Sequence, residues 1–265
     1  MKQILRRTCF LIALLSVLAP GVTAQEIPGD APTINLLVDC SHEYSFNLSD
    51  ASRTENEIFP GFNCVTACQT ISKLNLEPIN AMVVLMDGKL PYFPEDATTL
   101  LNYVREGGGL HIDVRTTGRY SDSLLDFLGE FGLEPGSNLS GASAESIEGK
   151  AVGLYPESDL AASGWLELPG VRAREAFPKV STPSDWRVLY RDEKGNPVVK
   201  TKAYGKGLIV CDTAGLYGAA IGKKEPQQQV MRKLLETISK NKVVEPMQGG
   251  GGWQFSDGYR WDQIT

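Results

Sequence analysis

Four apolar runs of strand length recur along the chain, each with an aspartate at or near its C-terminal end. They are residues 33–40 (TINLLVDC), 81–87 (AMVVLMD), 110–114 (LHIDV) and 207–212 (GLIVCD). Runs of this kind lack the alternation of a half-exposed strand, so both faces must be covered, as in a parallel sheet packed between helices. The intervening segments supply helices. Ala97, Leu100, Leu101 and Val104 stand at i, i+3, i+4 and i+7 of a helix over 95–106, which Gly107-Gly108-Gly109 ends. Ser121 is placed to cap a helix with Leu124, Leu125, Leu128 and Phe131 on one face. Val230, Leu234, Leu235 and Ile238 make the stripe of a last helix, and Cys64, Cys68 and Ile71 beside Val65 and Leu74 predict another over 62–75. Residues 187–192 and 197–203, joined by Glu193-Lys194-Gly195-Asn196, read as a late β-hairpin. Residues 134–185, rich in Gly, Ser, Pro and Ala, read as irregular. The fold class expected is α/β, with a mostly parallel sheet and helices on both faces.

The ends of the chain read differently. Lys2, Arg6 and Arg7 precede an apolar run from Phe10 to Ala19, and Val22-Thr23-Ala24 offers small residues to a signal peptidase. At about 1.5 Å per residue such a run reaches only about half of a bilayer core, so it is a signal rather than an anchor. Residues 1–24 are therefore expected to be a signal peptide, leaving a secreted or periplasmic protein with no membrane span. That segment holds three of the 26 basic residues and none of the 32 acidic ones, so the remainder carries 23 against 32, a net of −9. An acidic chain without a basic cluster excludes nucleic acid as a partner class. Residues 31–243 read as one domain. Residues 244–265 read as a Gly-rich linker and aromatic tail that opens a further module, because so short a piece builds no core of its own.

Several segments together carry a resemblance. Leu36-Leu37-Val38-Asp39 followed by Ser41-His42-Glu43 resembles the opening strand of class I glutamine amidotransferase-like domains. Tyr103-Val104-Arg105-Glu106-Gly107-Gly108-Gly109 is similar to the segment before the central strand in non-catalytic branches of that superfamily. These branches include trehalose-utilisation-like domains and the domain of gliding-motility and intraflagellar-transport proteins. Tyr204-Gly205-Lys206-Gly207 resembles the entry to their final strand. The resemblance implies a flavodoxin-like three-layer sandwich. It also implies where a nucleophile would stand: Gly-x-Cys-x-Gly after the central strand, with His-x-Glu further on. Here that strand reads Leu110-His111-Ile112-Asp113-Val114-Arg115, and neither of the two histidines, His42 and His111, begins His-x-Glu. A thiolate nucleophile and its base are missing, so the resemblance implies a domain with no catalytic triad, no cofactor and no metal.

What remains is the row of carboxylates. Asp39, Asp87, Asp113 and Asp212 at strand ends, with His42 and Arg115, could line one crevice at the C-terminal edge of the sheet, where open α/β folds bind ligands. Equally, each aspartate could bond backbone N–H groups at a strand-to-helix junction. The first arrangement suits a binding or assembly module with a protein or carbohydrate partner, or alternatively a hydrolase, glycan-directed, with or without a divalent metal. The four cysteines outside the signal, Cys40, Cys64, Cys68 and Cys211, permit two disulfides in three pairings or serve as core residues. The Cys64-x3-Cys68 spacing lacks the second close pair of a zinc site.

Overall fold

The computed structural model describes residues 34–39, 58–67, 70–86, 92–114, 122–133, 151–172, 185–222 and 225–247. All lie in one unit, Pro32–Thr265. The expected signal peptide lies outside the described residues, and among those that are described no helix is long and apolar enough to cross a membrane.

Nine strands make one sheet: β1 (Ile34–Asp39), β2 (Phe62–Ala67), β3 (Ala81–Met86), β4 (Gly109–Val114), β5 (Ala151–Pro156), β6 (Leu168–Arg172), β7 (Arg187–Asp192), β8 (Pro197–Tyr204) and β9 (Gly207–Asp212). Their order is β2-β1-β3-β4-β9-β8-β7-β5-β6. β2, β1, β3, β4 and β9 run parallel. β8, β7, β5 and β6 extend them with antiparallel pairings. The sheet is thus mixed, half parallel and half antiparallel by pairing, where the apolar runs suggest a mostly parallel one.

Five helices accompany it: α1 (Pro94–Arg105), α2 (Asp122–Glu130), α3 (Ser158–Ala162), α4 (Leu216–Ile221) and α5 (Glu225–Ser239). The all-apolar strands bury both faces, as their composition demands. One face, here called face A, packs Leu36, Val38, Val83, Leu85 and Val210 against Val230, Leu234 and Ile238 of α5. The opposite one, face B, packs Leu37, Met82, Val84, Ile112 and Ile209 against Leu100 and Val104 of α1 and Leu124 and Leu128 of α2. α1 opens with Pro94 in its first turn, and the buried Asp96 accepts the N–H of Phe93 at 3.2 Å and of Ser72 at 2.9 Å.

Three expectations change. The helix predicted over 62–75 is strand β2 followed by a short 3-10 turn, Ile71–Lys73. Phe62, Cys64 and Thr66 are buried while Asn63 and Val65 are half-buried, a period of two that the Cys64/Cys68/Ile71 spacing obscured. The stretch expected to be irregular holds β5, α3 and β6. Their strand sequences, AVGLYP and LPGVR, carry the glycines and prolines tolerated near a sheet edge, and these hide the strand signal. The segment 242–247, expected to run into the linker, is bonded to the N-terminal edge of the sheet. Asn35 donates to the Glu245 carbonyl at 2.8 Å, Lys242 donates to the Leu76 carbonyl at 2.7 Å, and Met247 packs on the face B core. Residues 248–265 lie outside the described residues.

Candidate functional site

Register decides which carboxylates meet. Asp113 pairs with Asp212 across β4 and β9, and Leu85 and Val199 continue the same row. Residues in one row of a sheet point to one face, so Asp113 and Asp212 stand side by side on face A. His111, two residues earlier on β4, points to the same face. Asp39 falls in the row of Val84, Ile112, Cys211 and Lys200, which faces the other way. The single crevice lined by strand-end carboxylates therefore does not include Asp39; a one-residue offset in register sends its side chain to face B. His42, Asp87 and Arg115 lie outside the described residues.

Asp212 is fully buried and heavily engaged. One carboxylate oxygen accepts the N–H of Ala214 at 2.7 Å and of Gly215 at 3.1 Å; the other accepts the N–H of Leu216 at 2.8 Å. These are the donors that a helix start leaves unsatisfied, so Asp212 holds the turn into α4. His111 Nε2 lies 3.2 Å from the same carboxylate, with both side chains fully buried. A carboxylate accepts, so the shared proton sits on Nε2, and Nδ1 presents a lone pair. That Nδ1 has no hydrogen-bond partner. The arrangement is an interior strut between two strands and a helix, and it leaves Asp212 no spare lone pair with which to act as a base.

The thiols are equally interior. Burial pushes the Cys211 thiol up to about 12, opposed by neighbouring Lys200 and reinforced by Asp212 and Asp113. At neutral pH it stays protonated and unreactive. Lys200, directly opposite on β8, is fully buried too, and burial holds its amine below the usual lysine range. Cys211 leaves the set of disulfide candidates, because it is a free thiol inside the face B core. Cys64 packs into face A on β2, beyond β1, β3 and β4. At about 4.8 Å per strand the two sulfurs are separated by roughly 19 Å and by the sheet itself. Cys40 and Cys68 lie outside the described residues.

One polar residue escaped the sequence reading. Gln227, in the first turn of α5, is 1% exposed, and neither atom of its amide has a hydrogen-bond partner. The signal was present: positions 227, 230, 231, 234, 235 and 238 make the buried stripe of α5, and only Gln227 among them is polar.

The motifs that carry the family resemblance sit at the other end of the strands. Lys206 N–H donates to the Arg105 carbonyl at 3.1 Å, and the Arg105 guanidinium donates to the Tyr204 hydroxyl at 2.9 Å. The Tyr-Val-Arg-Glu-Gly-Gly-Gly and Tyr-Gly-Lys-Gly segments thus form one joint at the start of β4 and β9. Two glycines explain its composition. Gly205 takes φ +58°, and a Cβ there would lie 2.6 Å from the Arg105 Cα. At Gly109 a Cβ would overlap the Ile238 carbonyl of α5, so a side chain would force the helix off the sheet.

Comparison with known proteins places the fold. No family model matches the chain, and no curated protein matches it by sequence. Solved structures do match by shape. A cytoplasmic protein of Salmonella typhimurium LT2 is 14% identical with a TM-score of 0.53, covering 78% of this chain and 99% of its own. A ThuA-like protein of Bacteroides uniformis is 12% identical with a TM-score of 0.53, covering 81% and 94%. An exo-β-1,4-mannosidase of an Opitutaceae bacterium is 12% identical with a TM-score of 0.47, and the chain spans 37% of its length. At these identities the likeness is one of fold. The chain has an α/β fold similar to that of a ThuA-like protein, in keeping with the amidotransferase-like resemblance of its sequence.

Proposed function

We propose that the chain is an exported, non-catalytic binding or assembly domain on a flavodoxin-like, amidotransferase-like scaffold, with a protein or carbohydrate partner. The strand order β2-β1-β3-β4-β9 supports the scaffold, since it matches the 2-1-3-4-5 order of flavodoxin-like sheets. Export rests on the charged start, apolar run and small-residue site within residues 1–24. The observation that carries the non-catalytic reading is the fate of Asp212: three backbone N–H groups and His111 occupy its carboxylate. A general base needs a free lone pair within reach of its substrate, and the one thiol on the same strand is buried and protonated.

The test is enzymatic. Purified protein starting at Gln25 is incubated with chromogenic glycosides and esters, alongside Asp113→Asn. A binding domain turns over none of them faster than the variant does. Turnover that Asp113→Asn abolishes without lowering the melting temperature contradicts the proposal and restores the hydrolase alternative. Export is checked separately by sequencing the N-terminus of secreted material, where Gln25 is the expected first residue.

A further inference from the structure

We propose that Gln227 is a ligand-binding residue, which together with Asp113 forms a polar floor on face A for a hydroxyl of a neutral, polyhydroxylated molecule. The inference rests on the reading of this edge as a binding site and names its ligand class. Its starting point is an anomaly of packing. The stripe of α5 that meets the sheet is Val230, Met231, Leu234, Leu235 and Ile238, all buried and apolar, and Gln227 continues it toward the helix start. An amide buried to 1% exposure with neither its donor nor its acceptor bonded is destabilising and rare in folded proteins. Leucine would fill the position at no such cost. A side chain that opposes stability in this way is a functional candidate.

Position follows from the helix and strand geometry. α5 packs on β3, β4 and β9, and its Ile238 abuts Gly109 at the start of β4. From Gly109 to Asp113, β4 climbs about 13 Å at 3.3 Å per residue. From Ile238 back to Gln227, α5 climbs about 16 Å at 1.5 Å per residue. Gln227 therefore arrives at the level of the Asp113–Asp212 row, at the C-terminal edge of the strands. Helical side chains lean toward the helix N-terminus, so its amide is aimed outward along that edge rather than back into the apolar layer.

The chemistry selects the occupant. The amide offers one acceptor and two donors, and the two carboxyl groups beside it accept. An anion is disfavoured by Asp113 and Asp212. An ammonium would serve the carboxyl groups while opposing the amide N–H. A hydroxyl donates and accepts at once, and a vicinal pair of hydroxyls can bridge amide and carboxyl together. Asp212 already receives three backbone N–H groups, so Asp113 is the carboxyl that a ligand hydroxyl meets.

The experiment is calorimetric titration of D-glucose, D-galactose, D-mannose and D-glucuronate, at millimolar concentration, into the protein starting at Gln25 and into Gln227→Leu. At least one neutral sugar is expected to bind the wild type and D-glucuronate is not. Gln227→Leu is expected to weaken that binding about tenfold or more while raising the melting temperature of the sugar-free protein by about 2–4 °C. No response to any neutral sugar overturns the ligand class and leaves the protein-partner form of the binding reading standing. Neutral-sugar binding that Gln227→Leu leaves unchanged overturns the role of Gln227 alone. A lowered melting temperature in Gln227→Leu also overturns it, since the amide would then be a structural group.

Discussion

The two edges of the sheet are built to opposite standards. At the edge where the parallel strands begin, side chains and backbone interlock. Asn80 accepts from the Asn35 N–H at 2.9 Å, Asn63 donates to Asn35 at 2.8 Å, and Asn35 donates to the carbonyls of Pro78 and Glu245. The glycines of the two motifs let α1, α5 and the β8–β9 turn close on one another. At the edge where those strands end, His111 Nδ1 and the Gln227 amide are buried without partners. Motif strength in the sequence therefore marks where the backbone is crowded. The edge suited to ligands is marked instead by polar groups that the fold leaves unsatisfied.

Variants at each edge can break that contrast. The largest effect is expected from Gly109→Ala, whose added methyl overlaps the Ile238 carbonyl. A loss of about 3 kcal/mol by urea denaturation is predicted, and a loss below about 1 kcal/mol would mean that α5 yields there. Next comes Asp212→Ala, which strips three backbone N–H groups and His111 of their acceptor. It should cost about 2–3 kcal/mol. Were Asp212 held for chemistry and not for the α4 turn, the variant would unfold at nearly the wild-type denaturant concentration.

The third effect is alkaline. Cys211 ionises near its ordinary value of 9.0 when unfolded but is pushed up to about 12 when folded. A folded value above the unfolded one means that the contribution is fully present below pH 9 and is lost as pH rises toward 12. Its slope is about 1.4 kcal/mol per pH unit within that window. Cys211→Ala should lose stability less steeply than the wild type there, and parallel slopes would show that the thiol is not desolvated. Smallest of all is Arg105→Ala. Its contacts with Asn102 and Tyr204 are exposed, so a change within about 0.5 kcal/mol is expected. A larger one would give the joint an electrostatic component beside its close packing.

The legible part of the molecule is the part that is buried on both sides. β1, β3, β4 and β9 announced themselves because their buried faces demand apolar residues, and α1 and α5 through their stripes. β2 misled because its short period-two pattern overlapped a helical spacing that ran on to Cys68 and Ile71. β5 and β6 were hidden by Gly153, Pro156, Pro169 and Gly170, residues that a shallow antiparallel extension accepts. For the site, the sequence placed aspartates at strand ends correctly but not their faces. Facing depends on register between strands far apart in the chain, and this separates Asp39 from Asp113. Gln227 was readable as a polar break in an apolar stripe, yet only its unbonded amide shows that the break matters.

The contrast between the edges reduces to a sign. Equilibrium urea unfolding of Gly109→Ala and Gln227→Leu, side by side with the wild type, tests it most directly. Opposite shifts are predicted: the glycine variant unfolds at lower denaturant and the glutamine variant at higher denaturant, with unchanged m-values. If both variants are destabilised alike, the C-terminal edge serves the fold just as the N-terminal edge does, and the contrast between them is contradicted.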